Sequence, residues 1–372
     1  MPEKLKAERA KRIDAARAHF AKIETLTEDD RKALFSLKFL DFPKIVTALP
    51  GFEGDSKLES LLIVRRQFEM ACDTLLELLE DFHAFSDTPD FHHRSARHRF
   101  DLLIDRIRKE LFTVSTLAHS VQDHCRRVRG AWNTPNFADH LAACFGDDGL
   151  HDFVIALRNG LHHQRVFDAE WALRWSESGE KSSHINLKRD ELVNEGGDWA
   201  KGRRWLDDAP EEIDVRSLTR EYRARAAAFY DWLLGWCDLN VPPKVAEYLE
   251  MCRREKAWIA RSQWSLALNI MVGKGVDPIP YLPEYLTAEE LDHAMKLPPR
   301  SQALADFVIG CPDAYGGCDD AIRRNAYKLF GVQDEPERPD RPDILASGVI
   351  APSRSPAPLT PAIGRRSDGT QG

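Results

Sequence analysis

The chain has 372 residues, of which 43% are hydrophobic and 30% are charged, and its formal net charge is −8. This composition is typical of a folded globular protein. The net charge excludes a protein that is basic over its whole surface, although it is compatible with a local positive groove. The seven cysteines contain no Cys-x-x-Cys pair, which disfavours both a disulfide framework and a structural zinc site.

Membrane association is also disfavoured by the sequence. No segment contains the roughly 18–20 uninterrupted apolar residues that a membrane-spanning helix needs. The first residues are charged and lack the apolar run of a signal peptide. We therefore predict a cytoplasmic protein with no membrane partner.

The first predicted element is a helical arm within residues 1–55. Residues 3–24 are rich in Ala, Lys, Arg and Glu, and the apolar stripe formed by Leu5, Ile13 and Phe20 is incomplete. We interpret the arm as a solvated or packing helix, and a nucleic-acid-binding arm is the alternative.

A helical bundle with an inserted β-hairpin is predicted over residues 56–240. Its first helix begins at Ser56, because Ser56 and Glu59 have the spacing of a capping box ahead of an apolar run. Two stretches in which apolar and polar residues alternate predict the hairpin at residues 169–190. The other helices of the bundle, inferred from apolar residues at helical spacing, are at 95–128, at 150–166 and from 214 onward.

The pair Pro242-Pro243 marks the predicted end of the bundle. A C-terminal helical region follows over residues 241–333 and includes a helix capped by Thr287 and Glu290. Residues 334–372 contain seven prolines and predict a disordered tail. The predicted fold class is therefore mostly α, with one inserted hairpin.

The segment from Leu157 to His163 reads Leu-Arg-Asn-Gly-Leu-His-His. It contains most of the residues to which the sequence assigns a chemical role. At about 100° per residue, Arg158 lies at the border of the apolar face of its helix, whereas Asn159 and His163 share a ridge on the far side. A permanent cation beside a group that titrates near neutrality suits metal-free cleavage of a phosphodiester. One straight helix presents the three side chains imperfectly, so we expect a bend at Gly160 or a second protomer to complete the site. The apolar face of the same helix is predicted to consist of Leu150, Phe153, Val154, Leu157 and Leu161.

The pattern Arg-Asn-x-x-x-His resembles the signature of the HEPN superfamily, the higher eukaryotes and prokaryotes nucleotide-binding domains, which are compact helical bundles. Arg158, Asn159 and His163 match the signature, and His162 occupies a variable position. The resemblance covers about half of the chain. It does not extend to the hairpin or to the C-terminal helical region.

The resemblance implies a metal-independent endoribonuclease of toxin–antitoxin, anti-phage or other defence systems, with no cofactor. Its implied partners are RNA, a second copy of the chain and an antitoxin or another defence component. His163 would serve as general base or acid for attack by an RNA 2′-hydroxyl. Arg158 would neutralise the phosphorane, and Asn159 would orient His163 or bind the phosphate. The alternative is a non-catalytic HEPN-like interaction or nucleotide-binding module. A further alternative is an Arg–carboxylate pair beside two solvent-exposed histidines.

Three other residues are candidates for substrate binding. His162 is either a second proton-transfer group or an ordinary surface histidine. Arg94 and Arg97 belong to a local basic cluster, which is either a phosphate-contacting patch or a solvated start of a helix. A metal site is not predicted, because the acidic residues around His151 lack a second cluster of ligands with matching spacing.

Overall fold

The computed structural model of the chain describes residues 3–23, 25–39, 41–163, 170–175, 181–194, 199–311, 313 and 315–332. Among these, the side chains of residues 39, 159–163, 170, 175 and 200 are not described. The predicted tail at 334–372 and the predicted end of the motif helix at 164–166 lie outside the described residues.

The described residues form fifteen α-helices, joined by short 3₁₀ turns. In chain order they are α1 (Glu3–Phe20), α2 (Glu28–Ser36), α3 (Phe42–Val46), α4 (Phe52–Ser86), α5 (Arg97–Trp132), α6 (Phe137–Phe145), α7 (Leu150–His163), α8 (Arg189–Asn194), α9 (Arg203–Asp208), α10 (Val215–Leu239), α11 (Pro243–Lys274), α12 (Leu282–Tyr285), α13 (Ala288–Lys296), α14 (Gln302–Gly310) and α15 (Asp320–Phe330).

Three antiparallel strands form one small sheet among the described residues. They are β1 (Glu170–Trp175), β2 (Lys181–Lys188) and β3 (Glu212–Asp214), in the spatial order β1-β2-β3. The predicted hairpin corresponds to β1 and β2, so the expectation of a mostly α-helical fold with an inserted hairpin is confirmed. The third strand was not predicted, because three residues are too few to show a period of two.

The chain divides into two units, Met1–Ser262 with Tyr315–Gly317, and Gln263–Ala314 with Cys318–Gly372. In the first unit, α4 and α5 pack along each other, and α7, α10 and β2 join them around one hydrophobic core. Burial of this apolar surface is the main force that holds the bundle together. The largest fully buried side chains of that core include Phe68, Phe82, Phe85, Phe153, Tyr222 and Phe229.

The start of α4 differs from the prediction. The helix begins at Phe52, and its N-cap is Gly51 with no side-chain capping bond, so the capping box at Ser56 was wrong. Tertiary packing extends the helix backward: a Cβ on Gly51 would lie 2.0 Å from the Lys244 carbonyl oxygen of α11. Trp132 Nε1 also donates to the Gly54 carbonyl at 2.9 Å. These contacts come from segments distant in sequence, and no local signal reports them.

The N-terminal helices have a core of their own within the first unit. Ile13 and Phe20 of α1 are buried with residues of α2 and α3, and Met251 of α11 closes this cluster. A capping box at Thr27 and Asp30 begins α2.

The second unit contains α12 to α15 and the end of α11. Thr287 caps α13 with Glu290 as the sequence predicts, because the Thr287 side chain accepts from the Glu290 amide while the Glu290 carboxylate accepts from the Thr287 amide. Tyr327 Oη donates to Asp306 at 2.8 Å and thereby links α15 to α14. In the described part of the chain, no helix is both long and apolar enough to cross a membrane.

Candidate functional site

The motif helix α7 is amphipathic in the way its spacing predicts. Leu150, Phe153, Val154 and Leu157 are at most 4% exposed, and Arg158 at the border of this face is half-buried. Burial of four large apolar side chains fixes the rotation of the helix. The Arg158 position is therefore set by the core on which α7 packs.

Several elements hold α7 in place. It packs on α5 and α10, and α9 and a 3₁₀ turn at Ala200–Gly202 cover it. The Phe153 ring stacks on the Trp205 ring at a centroid distance of 4.4 Å. Gly202 lies so near the helix that a Cβ there would be 2.5 Å from Phe153 Cα. Only glycine therefore fits at position 202.

The side chains of the other motif residues are outside the described set. This applies to the predicted catalytic residues Asn159 and His163 and to His162, whose backbone nevertheless belongs to α7. The helix continues through Gly160 to His163 and does not end at the glycine. Arg158 is thus the one residue of the predicted trio whose side-chain environment is described.

A buried polar network lies at the opposite end of α7. The Gln122 amide of α5 and His151 Nε2 are 2.7 Å apart, and His151 Nδ1 lies 3.2 Å from Tyr222 Oη of α10. Burial, with a smaller contribution from the positive charge of Arg126, lowers the pKa of His151 to about 4. The neutral ring that results ties α7 to α5 and α10, so His151 has a structural role that its sequence context does not reveal.

The small cavity beside His151 does not accommodate a substrate. Its volume is about 20 Å³, and aromatic and aliphatic side chains make up most of its lining. That space holds about one water molecule. The cavity is therefore too small for a nucleotide.

Arg94 and Arg97 lie at the exposed beginning of α5. Arg97 Nε is 3.2 Å from Asp101, and its guanidinium lies over the Phe100 ring at 5.3 Å. The Trp171 ring of β1 packs edge-on against Phe100 at 5.7 Å and remains 44% exposed. This end of α5 therefore presents arginine side chains beside an accessible aromatic ring.

The start of α7 lies away from this basic cluster along α5. His151, in the first turn of α7, contacts Gln122, and α5 rises roughly 37 Å from Arg97 to Gln122. A phosphate-contacting role for Arg94 and Arg97 stays a prediction.

The acidic residues before α7 are engaged in ion pairs. Asp148 accepts from Arg225 at 2.8 Å, and Asp147 lies 3.6 Å from Arg204. Within the described ranges, no group of three or more His, Cys, Asp and Glu side chains is arranged to hold a metal ion.

No protein-family model, curated protein or solved structure matches this chain. The HEPN interpretation consequently depends on the motif itself and on its place in a helical bundle.

A second group of polar side chains, which the sequence interpretation missed, lies on the sheet. His184 of β2 contacts both Ser182 of the same strand and Asp214 of β3, and Arg174 of β1 is the cross-strand partner of Ser182. The pattern Ser-x-His was visible, and on a strand it places both side chains on one face. Its partner Asp214 was not identifiable, because it lies in a third strand that the sequence does not predict.

Proposed function

We propose that the chain is a metal-independent endoribonuclease of HEPN type. The observation that carries the proposal is the half-buried position of Arg158 at the border of a helix whose apolar face is buried. The signature residues Asn159 and His163 follow it on the same helix. The helical bundle that contains α7 is compatible with the fold that the resemblance implies.

The reaction proposed is cleavage by the neighbouring 2′-hydroxyl. His163 accepts the 2′-hydroxyl proton while the 2′-oxygen forms a bond to phosphorus and the bond from phosphorus to the 5′-oxygen breaks. The leaving 5′-oxygen takes a proton from a second group, for which His162 is the candidate. The products are a 2′,3′-cyclic phosphate and a 5′-hydroxyl. Arg158 offsets the charge that develops on the phosphorane oxygens, where a planar guanidinium forms two parallel hydrogen bonds.

A homodimer is part of this proposal. Arg158 lies at the border of the apolar face and Asn159 and His163 lie on the far ridge, so one α7 helix does not direct all three side chains to one point. A second copy of α7 would complete the constellation. A cytoplasmic setting and a role as a toxin or defence component, with an antitoxin as a partner, belong to the same proposal.

The test uses the purified full-length chain, total cellular RNA and excess EDTA. We expect cleavage that leaves 2′,3′-cyclic phosphate ends and that is lost in Arg158→Ala and in His163→Ala. Arg127→Ala is the matched control, because Arg127 is an exposed arginine of α5, and it should retain cleavage. Circular dichroism should show equal helix content in all four proteins. Absence of cleavage by the wild type, or cleavage that persists in both motif variants, contradicts the proposal.

A further inference from the structure

The two faces of the sheet have opposite characters. Ile185, Leu187 and Ile213 point into the hydrophobic core and are at most 3% exposed. Ser182 and His184 alternate with these residues along β2 and therefore lie on the other face. Antiparallel sheets commonly present one polar face to solvent, and such a face is by itself unremarkable chemically. On the polar face of this sheet, however, three side chains lie in a defined hydrogen-bonding order.

Three side chains on the polar face form a directed hydrogen-bond chain. His184 Nε2 is 3.0 Å from Ser182 Oγ, and His184 Nδ1 is 3.2 Å from Asp214 Oδ1. Each ring nitrogen of the imidazole thus has a different partner: a hydroxyl on one side and a carboxylate on the other. A nucleophile within hydrogen-bond reach of a base, with the base oriented by a third group, is the arrangement that activates a serine.

Asp214 is itself held in a fixed orientation. Its Oδ2 accepts from the Ser217 amide at 2.8 Å and from Ser217 Oγ at 2.7 Å, which caps α10. The other oxygen, Oδ1, remains directed at His184. Two hydrogen bonds to one oxygen thus fix the direction in which the other oxygen faces the imidazole.

The three hydrogen-bonded side chains remain accessible to a reactant. The side chains of His184 and Asp214 are 27% and 23% exposed, and Ser182 is half-exposed. Arg174 stands directly across from Ser182 in the β1–β2 register and is 58% exposed. The Glu212 carboxylate accepts from the Arg174 guanidinium at 2.5 Å and from the Asn186 amide at 2.7 Å. The Arg174 guanidinium is therefore held at the Glu212 carboxylate.

We propose that Ser182 is a nucleophile for hydrolysis of carboxylic esters, with His184 as general base and acid and Asp214 as the residue that positions His184. Ser182 Oγ forms a bond to the ester carbonyl carbon while its proton passes to His184 Nε2. When the tetrahedral intermediate collapses, the bond to the alcohol oxygen breaks and that oxygen takes the proton from Nε2. Water then attacks the acyl-serine with His184 again as base, which releases the carboxylic acid and restores the hydroxyl.

The carbonyl oxygen becomes negative in the tetrahedral intermediate. Arg174 is not assigned to this oxygen, because Glu212 holds its guanidinium. This activity is independent of the ribonuclease proposal, because none of its residues belongs to α7.

A neighbouring serine of β2, Ser183, pairs with a histidine of α4 and serves as an internal comparison. Ser183 Oγ lies 3.0 Å from His83 Nδ1, but the nearest carboxylate, that of Asp87, is 3.8 Å from His83 Nε2. That distance exceeds a hydrogen bond, and Ser183 is only 7% exposed. His83 is therefore not oriented by a carboxylate, and Ser183 is not readily accessible.

The test labels the full-length protein with a fluorophosphonate probe, in which the serine oxygen displaces fluoride from phosphorus, and locates the adduct by peptide mass spectrometry. We expect one labelled serine, Ser182. Labelling should disappear in Ser182→Ala, slow about 100-fold in His184→Gln because the general base is lost, and remain at the wild-type rate in Ser183→Ala. Hydrolysis of p-nitrophenyl acetate should follow the same order.

Asp214→Asn requires its own control, since Asp214 also caps α10. Ser217→Ala removes only the hydroxyl partner and keeps the amide bond that orients Asp214, so it should label at the wild-type rate while Asp214→Asn labels slowly. No adduct on the wild type, an adduct that survives Ser182→Ala, or unchanged labelling in His184→Gln overturns the proposal. Arg158→Ala should label normally and Ser182→Ala should cleave RNA normally, so failure of one proposal is distinguishable from failure of the other.

Discussion

His151 Nδ1 lies 3.2 Å from the hydroxyl oxygen of Tyr222, and this contact joins the first turn of α7 to α10. A neutral imidazole serves both of its partners when Nε2 accepts from the Gln122 amide and Nδ1 donates to Tyr222. A protonated ring would direct a second N–H at the Gln122 amide group and would carry a charge in a site that is 9% exposed. Burial of the ring therefore favours the uncharged histidine.

The first prediction concerns the pH dependence of stability. In the folded protein the pKa of His151 is about 4, against 6.5 for the ordinary group, so the unfolded chain binds this proton more readily. Stability is therefore lost as the pH falls from about 6.5 to about 4, and the loss due to this residue is about 3 kcal/mol. Urea unfolding across that range should show this loss in the wild type and a smaller one in His151→Gln.

The control for this experiment is His92→Gln. His92 is exposed, so this variant removes an imidazole without touching the network and should follow the wild-type curve. A pH dependence of His151→Gln that runs parallel to that of the wild type would contradict the lowered pKa.

The second prediction separates charge from geometry at Arg158. Arg158→Lys keeps a positive charge but loses the planar fork that binds two phosphate oxygens. We expect about 100-fold slower RNA cleavage with unchanged helix content and thermal midpoint. Arg127→Lys should cleave at the wild-type rate. Full activity in Arg158→Lys would show that a point charge is sufficient and would refute the bidentate role.

The third prediction compares two glycine substitutions. In Gly202→Ala the new Cβ would lie 2.5 Å from the Phe153 backbone, so α7 must shift, and overpacking of this kind costs about 1–3 kcal/mol. In Gly130→Ala the new Cβ meets nothing within 4 Å on helix α5, and we expect a gain of about 0.5–1 kcal/mol. Urea denaturation of both variants measures the difference, and a neutral Gly202→Ala would show that α7 is not held by this contact.

The fourth prediction concerns the thiols of the bundle core. Burial raises the pKa of Cys72 and of Cys125 to about 12, so almost no reactive thiolate exists near neutral pH. In the native protein, alkylation by iodoacetamide should modify the half-buried Cys144 first and should reach Cys72 and Cys125 only after unfolding. Peptide mass spectrometry over time tests the order, and early modification of Cys72 or Cys125 would mean that the core opens readily.

Local rules account for most of the helical framework. Apolar residues at helical spacing predict α5 and the buried face of α7, and the Thr287 capping box correctly marks the start of α13. These features depend on neighbours within about one turn, and the sequence displays such neighbours directly. The same rules misplaced the start of α4, because close packing of Gly51 against α11 extends that helix backward.

The candidate sites also combine features that the sequence predicts with features that only the structure shows. The sequence by itself determined that Arg158 borders an apolar helical face with Asn159 and His163 close behind it, since helix geometry relates residues up to four positions apart. Only the tertiary structure decided that His151 is a buried neutral group. It also decided that Asp214 meets His184, thirty positions earlier in the chain. Such contacts depend on how strands and helices pack, and the packing of distant segments leaves no periodic signal in the sequence.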